Sequence, residues 1–193
     1  MSGKMNLLQK LGLALVLASC ALLLISEGFA AWNRRALVEI TQQIRSGLPQ
    51  RTEGDPESYS STAMPVRQIR GRDFVALVEF PAHGVSLPVE NQWDPANAVA
   101  HPCRFWGSAY DNSLIVGGVD RKGQLEICGQ LDLGDKVLVT DMAGAKFSYE
   151  VVRIDRRSQV DEATMAEMDC DLILFARNST VGNYILVRCR LAP

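Results

Sequence analysis

Three patterns of apolar and polar positions divide the chain. From Leu11 to Ser26 no charge interrupts a run dominated by Leu, Ile, Val and Ala, and Lys4 and Lys10 precede it. Its 16 residues would rise roughly 24 Å as a helix, less than a hydrocarbon core of ~30 Å. The predicted transmembrane segment therefore extends over 11–32, with Lys10 able to reach one interface and Trp32 seated at the other. Leu37, Ile40 and Ile44 then recur at helical spacing behind Asn33 as N-cap, and Gly47 and Pro49 end the pattern. This predicts an amphipathic stalk helix over 33–48. Residues 49–72 are largely polar, aperiodic and broken by Gly and Pro, as a flexible linker would be.

Beyond the linker the pattern changes to short β runs: Phe74–Phe80, Leu114–Val116, Lys136–Thr140, Lys146–Ile154, Leu172–Phe175 and Ile185–Cys189, with turn residues between them. Among the later residues only 161–168 reads as helical, with Asp161 as N-cap. Many strands and few helices predict a mainly-β domain over 73–193, built as a closed barrel or a sandwich.

Composition adds limits to this picture. With 193 residues and 47% apolar content the chain has material for one domain and an appendage. A formal charge of -2, without a basic cluster interleaved with aromatics, excludes nucleic acid as the expected partner. The lysines ahead of the apolar run, with no small-x-small cleavage site after it, predict a retained anchor. Residues 1–10 would then be a cytoplasmic tail and the β domain extracellular. Leu17-Ala18-Ser19-Cys20 also fits a lipoprotein signal, but Ala21 to Ile25 stay apolar where a lipidated Cys would be followed by a polar tether.

Four cysteines fall in the β domain, Cys103, Cys128, Cys170 and Cys189, and the two histidines are His83 and His101. His101 and Cys103 are close in sequence, and an extended backbone would put both on one face, so they form a candidate nucleophile pair. No Cys, His or carboxylate grouping has zinc-ligand spacing, and Asp169-Cys170-Asp171 reads as a solvated turn, so no metal or cofactor is expected. Asn178-Ser179-Thr180 matches a glycosylation acceptor and carries no weight here.

Several segments carry a resemblance to a known family. Ile173-Leu174-Phe175-Ala176-Arg177, followed by a short loop and a strand, is similar to the sortase strand reading roughly Thr-Leu-x-Thr-Cys and the Arg-bearing strand after it. Leu114-Ile115-Val116-Gly117-Gly118-Val119-Asp120 resembles the strand ending in Ala-Gly-His-Asn. Ser86-Leu87-Pro88-Val89, Pro102 to Ser108, Leu131 to Val137 and Thr140 to Gly144 follow the family's order. Class B sortases and their clostridial relatives look most similar. The resemblance implies a sortase-type closed β-barrel, and it puts Val119, Arg177 and Tyr184 on the positions of the catalytic His, Cys and Arg.

Sortase chemistry needs a thiolate, an imidazole to carry protons and a cation at the tetrahedral oxyanion. None of the three substituted side chains can take its predecessor's role. The resemblance thus implies a pseudo-sortase, with Arg177 and Tyr184 left as ligand-binding candidates. Arg177 would capture a carboxylate. The partners to expect are a sorting-signal peptide, a pilin-like surface protein or an active sortase. A transpeptidase or hydrolase with relocated catalytic groups, and an architectural surface domain, are the alternatives. The resemblance also makes Cys103 to Cys189 the first choice among the three pairings of two disulfides, since both match family positions.

Overall fold

The structure is a computed structural model, and it describes residues 13, 15–17, 19–20, 35–49, 63–95, 97–160, 169–178 and 180–192. The chain divides into two compact units, Met1–Glu39 and Ile40–Pro193. In the first, the described residues among 13–20 are helical, and Leu13, Leu15, Val16 and Leu17 are exposed. Most of the expected span 11–32 lies outside the described residues. Among those described, no helix is long and apolar enough to cross a membrane.

The second unit is a β-barrel. Nine strands run in order: β1 (Arg67–Ile69), β2 (Arg72–Phe80), β3 (Val85–Glu90), β4 (Cys103–Trp106), β5 (Leu114–Val119), β6 (Lys136–Asp141), β7 (Lys146–Arg157), β8 (Leu172–Arg177) and β9 (Tyr184–Leu191). The sheet order is β1-β2-β3-β4-β5-β8-β9-β7-β6, and β6 pairs back onto β2. That pairing closes eight strands and leaves β1 as an extra strand on β2. Closure removes the exposed edges that an open sheet of short strands would present.

The six strands read from alternation all form. β1 lies inside the stretch read as linker, which corrects that boundary. It turns into β2 through Arg70 and Gly71, both at positive φ, a two-residue hairpin that Gly supports without a Cβ penalty. β3 contains Pro88, which weakens its strand pattern. It is laddered to β2 but bridged to β4 only at Glu90–Cys103, so it tolerates Pro as an edge strand does. Residues 161–168, expected to be helical, lie outside the described residues.

Residues 35–47 are helical, as the apolar spacing predicts. Ile40 and Ile44, however, are buried against Phe74, Leu77 and Met142, and Arg45 pairs with Glu79. The segment from Ile40 on is therefore part of the barrel's packing and does not stand off as a stalk. Its apolar face has a sheet to cover, which explains why an amphipathic pattern is present at all.

Alternate positions of the central strands sort onto two faces. Leu114 and Val116, Leu172, Leu174 and Ala176, and Ile185, Val187 and Cys189 pair across β5, β8 and β9 and fill the barrel interior. The intervening residues form a second cluster on the outer face. Ile115, Ile173, Phe175, Leu186 and Cys170 pack there, with Trp93, Val160 and Tyr184 partly buried against them.

Candidate functional site

The outer cluster ends at one rim of the barrel, where Val119, Arg177 and Tyr184 meet. Val119 is the last residue of β5 and pairs with Arg177, the last residue of β8; Arg177 pairs in turn with Tyr184, the first residue of β9. Residues in register on neighbouring strands project to the same face. The row continues one strand further, because Arg157 at the end of β7 pairs with Tyr184. Arg157 and Arg177 are exposed, and Val119 and Tyr184 are half-buried.

Local contacts fix this rim. Asp120 donates its backbone N–H to the Arg177 carbonyl at 2.8 Å. The Asn178 amide donates to the Asp120 carboxylate at 2.9 Å, and Asn178 Oδ1 accepts from the N–H groups of Thr180 and Val181 at 3.0 Å each. The β8–β9 loop is thereby tied both to itself and to the end of β5. Across the rim, Arg121 and Gln124 both donate to the Val99 carbonyl, holding the loop between β3 and β4 beside the β5 exit.

An aromatic group lies next to the row on the same face. The Phe175, Trp93 and Phe105 rings approach one another with centroids 5.4 Å apart in every pair. Phe175 can lie flat on β5 because Gly117 is opposite it. A Cβ on Gly117 would fall 2.0 Å from Phe175 Cζ, far inside contact distance. Phe175 is buried, and Trp93 from the β3–β4 loop covers it.

The second candidate pair, Cys103 and His101, does not assemble as a catalytic site. His101 precedes β4 and is not part of an extended run with Cys103. Its Nδ1 contacts the Glu90 carboxylate at 2.7 Å, while the Cys103 thiol donates to the His101 carbonyl at 3.4 Å. Burial would raise the Glu90 carboxyl, but hydrogen bonds with His101 and Arg72 outweigh it and hold the group below its ordinary value. The network of Glu90, His101 and Arg72 satisfies a buried charge. His83 is on a turn, 3.4 Å from Asp135.

The four thiols of the β domain are buried and raised. Burial pushes the Cys103 thiol up to about 12, with the Glu90 charge adding to it, and burial pushes Cys128 up to about 12. Cys170 and Cys189 are also pushed up, mainly by burial. All four are free. The expected Cys103–Cys189 disulfide is not formed: the residues lie on β4 and β9, with β5 and β8 between them in the sheet. Two intervening strands at roughly 4.8 Å per step put them beyond the ~7 Å Cα reach of a disulfide.

These positions predict how the thiols behave. In native protein at pH 8, iodoacetamide should label Cys103, Cys128 and Cys189 at least about a hundredfold more slowly than in urea, as mass spectrometry would show. Each folded-state value is raised, so the stability from keeping these thiols neutral is present below about 9 and is lost as pH rises towards about 12. The thermal midpoint should hold to pH 9 and fall above it. Rapid labelling at pH 7 would show an activated thiol and overturn this assignment.

Among the described residues no group of three or more Cys, His, Asp or Glu side chains could hold a metal ion. No protein-family model matches the chain, and no curated protein matches it. Solved structures do. Sortase A from Corynebacterium diphtheriae superposes with a TM-score of 0.54 at 14% identity, over 84% of this chain and 84% of that one. The chain has the sortase fold. Sortase C from Clostridium perfringens SM101 matches with a TM-score of 0.52 at 15% identity, over 62% of this chain and 70% of that one. Sortase C-1 from Actinomyces oris matches at 0.51 and 19% identity, over 61% and 73%. The similar structures include A, C and D sortases, so the likeness establishes the fold and no subclass.

The register sets Val119, Arg177 and Tyr184, the residues that the motif resemblance singles out, beside one another across β5, β8 and β9; the motif order carries no signal for the rest of the rim. It missed Arg157, whose membership depends on the β7–β9 register, and Asn178, whose role depends on Asp120 across the rim. It also missed the aromatic trio, which three separate segments assemble.

Proposed function

We propose that this chain is a membrane-anchored pseudo-sortase whose β domain lies outside the cell and binds or assembles other surface components without catalysing transpeptidation. The observation that carries the reading is the in-register row of Val119, Arg177 and Tyr184, which has the arrangement of a three-residue site and lacks a nucleophile, an imidazole and the oxyanion cation at their family positions. The buried, raised thiols oppose a relocated nucleophile. The apolar run over 11–32, in which the described residues are helical with exposed Leu13, Leu15 and Leu17, supports the anchor. Its partners in this reading are a sorting-signal peptide, a pilin-like surface protein or an active sortase. A class B relationship rests on the motif resemblance alone.

The full-length protein in a neutral detergent should neither cleave nor transpeptidate sorting-signal peptides above a heat-denatured control. Peptide-derived products resolved by chromatography provide the measurement. Turnover that disappears in Cys103→Ala or Cys170→Ala would replace this reading with that of an enzyme with a relocated thiol.

A further inference from the structure

The rim row carries two cations on either side of a tyrosine, and the resemblance accounts for neither as a pair. Arg177 and Arg157 are each in register with Tyr184, on β8 and β7, so all three project from one face. Their Cα atoms are two strand steps apart, roughly 10 Å. Two arginine side chains reaching inward from both sides can close that span over the Tyr184 ring. Among the described residues no carboxylate pairs with either guanidinium. The carboxylates of the flanking strands are engaged elsewhere: Asp155 with Arg153 at 3.0 Å and Arg188 at 3.3 Å, and Asp120 with Asn178 at 2.9 Å.

The surroundings narrow the ligand. Lys122 continues the positive charge past the β5 exit, where it is exposed. Val99, tethered beside that exit, is 48% exposed, and Val181 in the β8–β9 loop is 72% exposed. A small inorganic anion would use the charges and leave these apolar side chains idle. A peptide with apolar residues next to a carboxylate uses both, with planar bidentate pairing from each guanidinium and the Tyr184 hydroxyl as a further donor.

We propose that Arg157, Tyr184 and Arg177 form a carboxylate clamp for an acidic peptide segment, the carboxylate coming from an acidic side chain or from a C-terminus. This deepens the pseudo-sortase reading and rests on it. The test is fluorescence anisotropy on the full-length protein in a neutral detergent, with labelled Leu-Ala-Val-Glu-Glu as the probe. Its companions are the same peptide amidated at its C-terminus, Leu-Ala-Val-Gln-Gln with a free carboxylate, and Leu-Ala-Val-Gln-Gln amide.

The acidic probe should bind at least about tenfold more tightly than the neutral amide, and the two intermediate peptides identify which carboxylate is held. Arg157→Ala and Arg177→Ala should each weaken binding about tenfold with unchanged thermal midpoints, and Lys at either position should restore only part of it. Equal binding of all four peptides would overturn the clamp while leaving a neutral peptide site intact. Binding by none would overturn the peptide-binding reading as well. An Arg157→Ala variant with wild-type affinity, or inorganic phosphate displacing the probe at equimolar concentration, would also overturn the clamp.

Discussion

The combined variant Val119→His, Arg177→Cys and Tyr184→Arg is expected to carry an activated thiol, and the single variant Arg177→Cys an ordinary one. The structure supplies the reason, because positions 119, 177 and 184 are consecutive partners across β5, β8 and β9 and share a face. Side chains opposite one another on adjacent strands are about 5 Å apart at Cβ, close enough for an imidazole to meet a thiol. An unassisted thiol with a pKa near 8.5 is only a few per cent thiolate at pH 7. Pairing with an imidazolium that brings it to about 7 gives roughly half thiolate. The alkylation rate at pH 7 should therefore rise about tenfold from single to combined variant, and its pH midpoint should move down. A sorting-signal peptide should leave a slow thioacyl adduct on the combined variant alone, detected as added mass. Equal rates and equal midpoints in two folded variants would show that these positions no longer form one constellation.

Such a test is possible because the rim was readable from motif order, while much of its environment was not. Strands such as β2, β6 and β9 alternate or run apolar over enough residues to be recognised. β4 has four residues and a bulge between Arg104 and Trp106, so its pattern is too short and irregular to read. The β2–β6 pairing that closes the barrel joins residues about 60 apart in sequence, such as Val78 and Val139, and no local pattern encodes it. Arg157 illustrates the same limit. A bulge between Val151 and Arg153 shifts the β7–β9 register, and only past that shift does Arg157 come opposite Tyr184. His101 and Cys103 failed for a local reason: β4 starts at Cys103, and Glu90 takes the imidazole.

Replacing Gly117 by Ala is expected to destabilise the barrel by about 1–3 kcal/mol, which for a chain of this size lowers the thermal midpoint by several degrees. The new Cβ would fall far inside contact distance of the Phe175 ring, and that ring cannot withdraw, because Trp93 and Phe105 pack against it. Phe175→Ala alone should cost about 3–5 kcal/mol by emptying the aromatic cluster. In the double variant Gly117→Ala with Phe175→Ala the clash is absent, so the combined loss should fall short of the sum by at least about 1 kcal/mol. Denaturant unfolding of the four proteins measures this coupling, and strictly additive losses would refute the contact. Gly117 stands where the resembling motif has Ala, and Phe175 lies two residues before Arg177 on the same outer face. A large ring two residues from Arg177, seated on a glycine, fills the face beside the rim row with packed aromatic side chains.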